Sequence, residues 1–170
     1  LTFAECKEKG INDSSIHVDF MIGTKDGADC IQPSNAGVDN SYATLFANVT
    51  LKAGQAIGFD YMASSESGMD VLYVLIDRKD IYQISGDSEE KEWKSCYPCV
   101  AEEAGTYELA LCYLKDEADA AGDDTVYLKD LRVVDAKDID TATYIPRYCA
   151  TDLKADGFGY ETYATVVFND

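Results

Sequence analysis

Apolar residues recur along this chain in short runs of two kinds. Residues 16–22, 42–51 and 57–61 alternate apolar and polar side chains, which is the period of a strand with one buried face. Residues 71–76 and 107–114 are apolar at nearly every position, which is typical of a strand buried on both faces. Gly, Asp, Asn and Ser cluster between the runs, where they favour turns. The pattern predicts many short strands and almost no helix.

The alternation also predicts which side chains face the core, because successive side chains of a strand point to opposite faces. In the three alternating strands the predicted core residues are Ile16, Val18, Phe20 and Ile22, then Ala43, Leu45, Ala47, Val49 and Leu51, then Ile57, Phe59 and Tyr61. The two continuously apolar strands should lie in the middle of their sheets.

The segments between these runs are predicted to be turns and loops. Residues 23–40 should form a loop, residues 77–80 should turn the chain into a hairpin, and residues 85–95 should form a charged loop that carries Trp93. In the last long strand, residues 126–134, the apolar phase slips after Leu128. This slip predicts a β-bulge near Lys129 and Asp130.

Short strands separated by turn residues predict an all-β fold, a jelly-roll-like sandwich of two antiparallel sheets with little or no helix. The pattern changes after residue 135. We therefore assign residues 1–137 to the β-sandwich domain and residues 138–170 to a C-terminal appendage that covers an edge or leads to the next module. Within it, residues 143–150 and 160–168 are strand-like, and Pro146 confines the first of these to an edge or a bulge.

Net charge narrows the choice of partners. The 170 residues include 14 Lys and Arg against 32 Asp and Glu, which gives a formal charge of −18. Nucleic acid and anionic membrane surfaces are poor partners for such a chain, because both are bound by clustered basic residues. The apolar runs are too short to cross a bilayer. The charge favours cation binding, or it serves solubility alone.

Six cysteines leave the redox chemistry open. They are Cys6, Cys30, Cys96, Cys99, Cys112 and Cys149, an even number that is compatible with disulfides in an exported protein, although the sequence does not determine the pairing. Cys96 and Cys99 have the spacing of a redox motif, which should open a helix after a strand. Their surroundings instead predict a loop, so we expect buried thiols or disulfides there.

Acidic turns are the first candidate binding site. The carboxylates of Glu66, Asp70, Asp116, Asp123 and Asp124 follow or precede the central strands at irregular spacing. Calcium takes several carboxylate and carbonyl oxygens in flexible geometry, so these five residues are the predicted ligands of a possible Ca²⁺ ion. The alternative is that Asp and Glu simply form turns and satisfy loop backbone groups.

Aromatic side chains are the second candidate. Tyr82, Trp93 and Tyr97 follow the central hairpin, where flat rings could stack on sugars, and we predict them as ligand-binding residues. The alternative is that they are structural rings, which β-propensity explains.

No carboxylate pair is marked as catalytic, and a Ser/His/Asp triad would have to use the single histidine, His17. We therefore predict no enzymatic activity, with a glycoside hydrolase-type domain as the weakest alternative.

The order of several motifs resembles the MAM-type, concanavalin-like jelly-roll domains of large cell-surface proteins of gut bacteria. The matching segments are residues 54–61, 64–70, 72–74, 85–86, 105–107, 113–116 and 122–124, together with Trp93, and residues 35–51 resemble the preceding strand. The cysteine pattern departs from that family. The resemblance implies a secreted or cell-surface, non-catalytic module for adhesion, carbohydrate binding or spacing between neighbouring modules of the same chain. A structural spacer with no ligand is the alternative to a binding module.

Overall fold

The computed structural model describes residues 16–86, 92–140, 148–149 and 165–167. These residues form eleven strands and one short 3-10 turn, Ala136–Asp138. The strands are β1 Ile16–Lys25, β2 Ala28–Pro33, β3 Ser41–Leu51, β4 Gln55–Ser64, β5 Val71–Ile76, β6 Lys79–Ile84, β7 Lys94–Ala101, β8 Gly105–Leu114, β9 Thr125–Asp135, β10 Tyr148–Cys149 and β11 Thr165–Val167. The predicted all-β fold is confirmed.

The strands form two sheets that share β1. The front sheet has the order β10-β7-β4-β9-β2-β1, and the back sheet has the order β1-β3-β8-β5-β6, with β11 also paired to β3. β1 pairs with β3 over residues 16–19 and with β2 over residues 20–25, so it crosses from one sheet to the other. Most pairs are antiparallel, and the parallel exceptions are β1 with β3, β7 with β10, and β3 with β11.

The main core lies between the two sheets. Leu45, Leu72 and Leu109 of the back sheet form one buried cluster with Ile57 and Phe59 of the front sheet. The predicted core faces of β3 and β4 are therefore confirmed. β5 and β8 occupy interior positions of the back sheet and are buried on both faces, as their continuous apolar sequences predicted. The hairpin of β5 and β6 around residues 77–78 is confirmed as well.

The prediction of a loop over residues 23–40 is wrong, because β2 lies within it. β1 and β2 form a hairpin whose two central residues, Asp26 and Gly27, have φ values of 52° and 79°. An Asp-Gly pair with both φ values positive is the favoured two-residue turn, since its twist matches that of the strands. The predicted core face of β1 also fails at Ile22, which is 85% exposed. Ile22 lies past the point where β1 changes sheets.

The front sheet contains two β-bulges, each with one extra residue in one strand. Gly58 and Asp60 of β4 pair with Arg132 and Lys129 of β9, so β9 has one extra residue. The bulge predicted near Lys129 and Asp130 is therefore confirmed, and Asp130 has a φ of 52°. This extra residue restores the alternation, which places Leu128 and Leu131 against the same core.

The second bulge lies in β7 and corrects the prediction for the Cys96–Cys99 motif. The motif is inside a strand rather than a loop: Ile57 and Phe59 of β4 pair with Cys99 and Cys96, so β7 has one extra residue between the two thiols. A spacing of three would send the side chains to opposite faces of a regular strand. The bulge turns both into the core, where they are 1% and 0% exposed.

The predicted burial of the thiols is confirmed for four of the six cysteines: Cys30, Cys96, Cys99 and Cys112 are buried thiols. Burial raises the pKa of Cys96 to about 12. The side chains of Cys6 and Cys149 lie outside the described residues.

The C-terminal assignments stay predictions. Tyr148–Cys149 and Thr165–Val167 lie in strands, within the two segments predicted to be strand-like, and the rest of both segments is outside the described residues. The described part of the chain contains no helix long and apolar enough to span a membrane.

Candidate functional site

Two loops meet at one end of the sandwich and bring together Asp70, Lys115 and Asp124, which we call the polar corner. Asp70 directly precedes β5, Lys115 directly follows β8, and Asp124 directly precedes β9. Because β5 and β8 pair through Val71 and Leu114, the residues just beyond this pair lie side by side. Sequence positions 45 residues apart thus become neighbours.

Lys115 makes two buried ion pairs at the polar corner. Its ammonium contacts Asp124 Oδ1, and it lies 3.4 Å from Asp70 Oδ2. The side chains of Lys115 and Asp70 are each 1% exposed, and that of Asp124 is 8% exposed. Two carboxylates therefore share one ammonium in a site from which solvent is almost excluded.

Backbone N–H groups satisfy the remaining carboxylate oxygens. The N–H of Gly37, in the loop between β2 and β3, donates to Asp124 Oδ2. The N–H of Asp116 donates to Asp70 Oδ1 at 3.2 Å. A buried charge is tolerated when it is both paired and hydrogen-bonded, and both carboxylates meet this condition.

The shared ammonium leaves the polar corner with one excess negative charge. Burial raises the pKa of Asp70 to about 6, the Lys115 ammonium and the Asp116 N–H oppose this rise, and the neighbouring Asp124 carboxyl adds to it. Burial also raises the pKa of Tyr113, with a further contribution from Asp70. The Tyr113 side chain is fully buried, with the Ser65 hydroxyl beside its own hydroxyl.

The five predicted calcium ligands are only partly brought together. The carboxylates of Asp70 and Asp124 meet at the polar corner, whereas Asp116 contributes only its backbone N–H, and its own carboxylate accepts a hydrogen bond from the Ala118 N–H at 2.9 Å. Glu66 contributes its carbonyl oxygen to the Asp70 N–H, and Asp123 pairs instead with Lys25. Among the described residues no group of three or more His, Cys, Asp or Glu side chains is arranged to hold a metal ion. Calcium binding stays a prediction.

Lys115 was not among the residues predicted from the sequence. A Lys-Asp pair after a strand is an ordinary surface pattern, and only its position directly after a strand buried on both faces hints at burial. In the structure its ammonium lies between two carboxylates, where a bound cation was expected.

A second arrangement covers the outer surface of the front sheet, and we call it the aromatic face. On this face three rings each lie beside a basic side chain. Lys25 Nζ is 4.9 Å from the centre of the Tyr127 ring, Lys129 Nζ is 4.3 Å from that of Trp93, and Arg132 Cζ is 5.2 Å from that of Tyr97. Such distances are within the range of cation–π attraction.

Strand register explains why these residues lie together. On β4, Gly58, Asp60 and Met62 alternate with the core residues and so point outward. Met62 pairs with Tyr127, and Asp60 pairs with both Ser95 and Lys129. The aromatic face therefore consists of side chains from the neighbouring strands β7, β4 and β9, together with Lys25 of β1 and Trp93, which directly precedes β7.

Arg132 is held in place by several hydrogen bonds. Its Nη2 donates to Asp60 Oδ1 at 3.0 Å, to the Tyr97 hydroxyl at 3.0 Å and to Ser95 Oγ at 3.3 Å. Its Nη1 donates to the carbonyl of Asp130 at 2.8 Å, within the bulge of β9. The guanidinium is thereby fixed in one orientation.

The ring of Tyr97 lies directly over the backbone of Gly58. A Cβ atom added to Gly58 would be 2.6 Å from the Tyr97 ring, closer than side chains approach one another. Glycine at this position lets the ring lie close to the sheet and keeps it beside Arg132.

Trp93 and Tyr97, both predicted to bind a ligand, share the aromatic face, whereas Tyr82 does not. Trp93 packs against the small cluster of Cys30, Met62 and Tyr127. Tyr82 lies on β6, the outermost strand of the back sheet, and packs against the main core. The structure thus brings together two of the three predicted residues and adds Tyr127, Asp60, Ser95 and Arg132.

An apolar cavity of about 130 Å³ lies beside the bulge of β9. It is lined by Ile31, Leu45, Phe59 and Leu111, with Lys129 and Asp130 among the remaining residues. A cavity with so few polar groups does not match the hydroxyl-rich surface of a sugar.

Comparison with known proteins finds neither a family model nor a curated protein that matches the chain. The resemblance to MAM-type domains stays a prediction that depends on the sequence motifs alone.

Proposed function

We propose that this chain is a non-catalytic binding module of a secreted or cell-surface protein, and that its aromatic face binds carbohydrate. One observation carries the proposal: the half-buried rings of Trp93 and Tyr97 lie on one sheet face, each beside a basic side chain, and the buried ring of Tyr127 packs beside Trp93. Aromatic rings spread along one face of a sheet offer a surface for an extended ligand, whereas core rings would be dispersed between the sheets.

The chemistry of the face suits sugars. Flat rings stack against the C–H faces of sugar rings, and a few fixed polar groups select among the hydroxyls. Asp60 accepts hydrogen bonds, Arg132 donates them and Ser95 does both, so neighbouring hydroxyls of one sugar would find both kinds of partner. All three lie within hydrogen-bond distance of one another, which keeps the polar set rigid.

Charge favours neutral glycans over acidic ones. Each basic group of the face is paired with an aspartate: Lys25 with Asp123, Arg132 with Asp60, and Lys129 with Asp130. The face therefore has little excess positive charge, and the whole chain has a formal charge of −18. An anionic sugar would meet repulsion from the protein as a whole.

A glycan array with the purified chain tests the proposal. We expect binding to neutral glycans, and we expect Trp93→Ala and Tyr97→Ala each to weaken it roughly tenfold, the typical loss for an aromatic residue at the centre of an interface. Tyr82→Ala is the matched control, because this tyrosine lies on the other sheet and should leave affinity unchanged. A thermal melt of each variant confirms that it is folded.

The outcomes separate the alternatives. Absence of binding to every glycan class would leave a structural spacer as the function. Binding that is lost in Tyr82→Ala but kept in Trp93→Ala would move the site away from the aromatic face. An array repeated with EDTA tests the calcium prediction independently, because chelation should abolish binding only if the ion shapes the site.

A further inference from the structure

We propose that Lys115 and Asp124 become joined by an intramolecular isopeptide bond, an amide between Nζ of the lysine and Cγ of the aspartate. The polar corner would then be a site of covalent self-modification, separate from the aromatic face. Its three side chains supply a nucleophile, an electrophile and a proton carrier.

The nucleophile and the electrophile are already in contact. Lys115 Nζ touches Asp124 Oδ1, and neither group can move away easily, because both side chains are more than nine-tenths buried. Holding two reactants together in this way removes most of the entropic barrier to a reaction between them. An amide forms readily in water only with activation, so the protein has to supply the remaining chemistry.

The backbone N–H of Gly37 stabilises the negative charge that develops at the electrophile. Its N–H donates to Asp124 Oδ2, the carboxyl oxygen that does not contact the lysine. When Nζ adds to Cγ, negative charge develops on Oδ2, and a donor that is already aimed at this atom stabilises it.

Asp70 provides the proton transfer. Its Oδ2 lies 3.4 Å from Lys115 Nζ, and its carboxyl is close enough to that of Asp124 to form a hydrogen bond with it. Asp70 can therefore take protons from the nitrogen and give them to Asp124 Oδ1. The fully buried side chain of Tyr113 encloses the same site and helps to exclude water.

The reaction balances without any co-reactant. Asp70 accepts a proton from the ammonium, which leaves a neutral amine. Nζ then bonds to Cγ of Asp124. Asp70 gives the proton it holds to Oδ1, accepts the second proton from Nζ and gives that one to Oδ1 as well. The bond between Cγ and Oδ1 breaks, one water molecule leaves, and Asp70 returns to its initial state. No oxidation or reduction takes place.

Burial favours this sequence over a permanent ion pair. A low-dielectric site disfavours charged groups, so transfer of a proton from ammonium to carboxylate costs less there than in water. The product also removes one positive and one negative charge from the interior, which lowers the cost of desolvation.

Intact mass spectrometry of the folded 170-residue chain, unfolded just before injection, is the decisive test. We expect a mass lower than that of the sequence by one water molecule, in nearly all molecules. Trypsin should then fail to cut after Lys115, so residues 95–129 should appear as one peptide lacking one water. Succinimide formation at Asp26-Gly27 would cause the same loss of mass but would leave residues 95–115 and 116–129 as separate peptides.

Three variants test the assigned roles. Lys115→Arg should keep the full mass, since a guanidinium does not form the amide. Asp124→Asn should lose ammonia in place of water and reach the same final mass as the wild type. Asp70→Asn should fold but keep its full mass, and loss of water in this variant would refute the role of Asp70. A wild-type chain of full mass that yields the two separate peptides would overturn the proposal whatever the variants do.

Discussion

Replacing Lys115 with methionine should destabilise the protein strongly, because it leaves two buried carboxylates without a cation. Methionine keeps the length and approximate volume of the side chain, so packing changes little. Asp70 and Asp124 have side chains that are 1% and 8% exposed and cannot exchange the ammonium for water. Removing one partner of a buried ion pair costs about 3–5 kcal/mol.

The raised pKa of Asp70 sets an upper limit on this loss of stability. Because the pKa of Asp70 is already raised to about 6, holding that carboxyl protonated at pH 7 costs only about one pKa unit, or about 1.4 kcal/mol. The variant can therefore relieve one of its two unpaired charges by binding a proton. Relative to Asp70→Asn, which also lacks the proposed cross-link, we expect a loss of about 3 kcal/mol at pH 7 and a smaller one, about 2 kcal/mol, at pH 5.

Urea unfolding at both pH values measures the effect. With a slope of about 1–3 kcal/mol per molar urea, the midpoint at pH 7 should fall by about 1–3 M. Asp70→Asn is the matched control. It keeps the ammonium paired with Asp124, and both variants lack the proposed cross-link, so their difference reports the unpaired charges alone. The reasoning fails if the free energies of unfolding of Lys115→Met and Asp70→Asn differ by less than about 1 kcal/mol at pH 7. Two buried carboxylates left without their cation should cost more than that.

Three further predictions concern pH, the aromatic face and the core thiols. The folded pKa of Asp70 is raised to about 6 from 3.8, so between these values the folded state binds more protons than the unfolded state. Stability measured by urea unfolding of Lys115→Arg, which keeps a cation beside Asp70 and lacks the proposed cross-link, should therefore fall by about 2–3 kcal/mol as pH rises from about 4 to about 6, and the decrease should be absent when Asp70→Asn is added. Gly58→Ala should displace the Tyr97 ring, which a Cβ would approach to 2.6 Å. The resulting loss of glycan-binding free energy should exceed the loss of unfolding free energy obtained from a thermal melt, and unchanged affinity would contradict this. Cys96, with its pKa raised to about 12, should resist iodoacetamide at pH 8 in the folded protein and react on unfolding, as peptide mapping would show, whereas rapid labelling of the folded chain would place this thiol outside the core.

Periodicity predicted the strands well where one strand stays in one sheet. The alternation of β3 and β4 gave their core faces correctly, and the phase slip after Leu128 located a bulge that the register confirms. The same reasoning failed for Ile22, because β1 leaves the back sheet after Asp19 and pairs with β2 from Phe20 onward. A side-chain pattern defines two faces of a strand, but it does not say where the strand changes partner.

The candidate sites were predicted in part for a related reason. Trp93 and Tyr97 were predicted from composition near a hairpin, and Asp70 and Asp124 from the chemistry of acidic turns, as calcium ligands. The basic members, Arg132 and Lys115, were not predicted. Each is one charged residue in a chain with many, and it acquires a role only through partners far along the sequence, such as Asp60, which is 72 residues from Arg132.

The sequence by itself determined the fold class and the buried faces of the regular strands. These features follow from the order of apolar and polar side chains at consecutive positions of the sequence. Only the tertiary structure decided that an ammonium lies between Asp70 and Asp124, that three rings share one face, and that Cys96 and Cys99 point the same way. The physical reason is register. A shift of one residue in the pairing of two strands moves every side chain of the shifted strand to the opposite face of the sheet, and it moves the residues at the ends of the strands away from their neighbours.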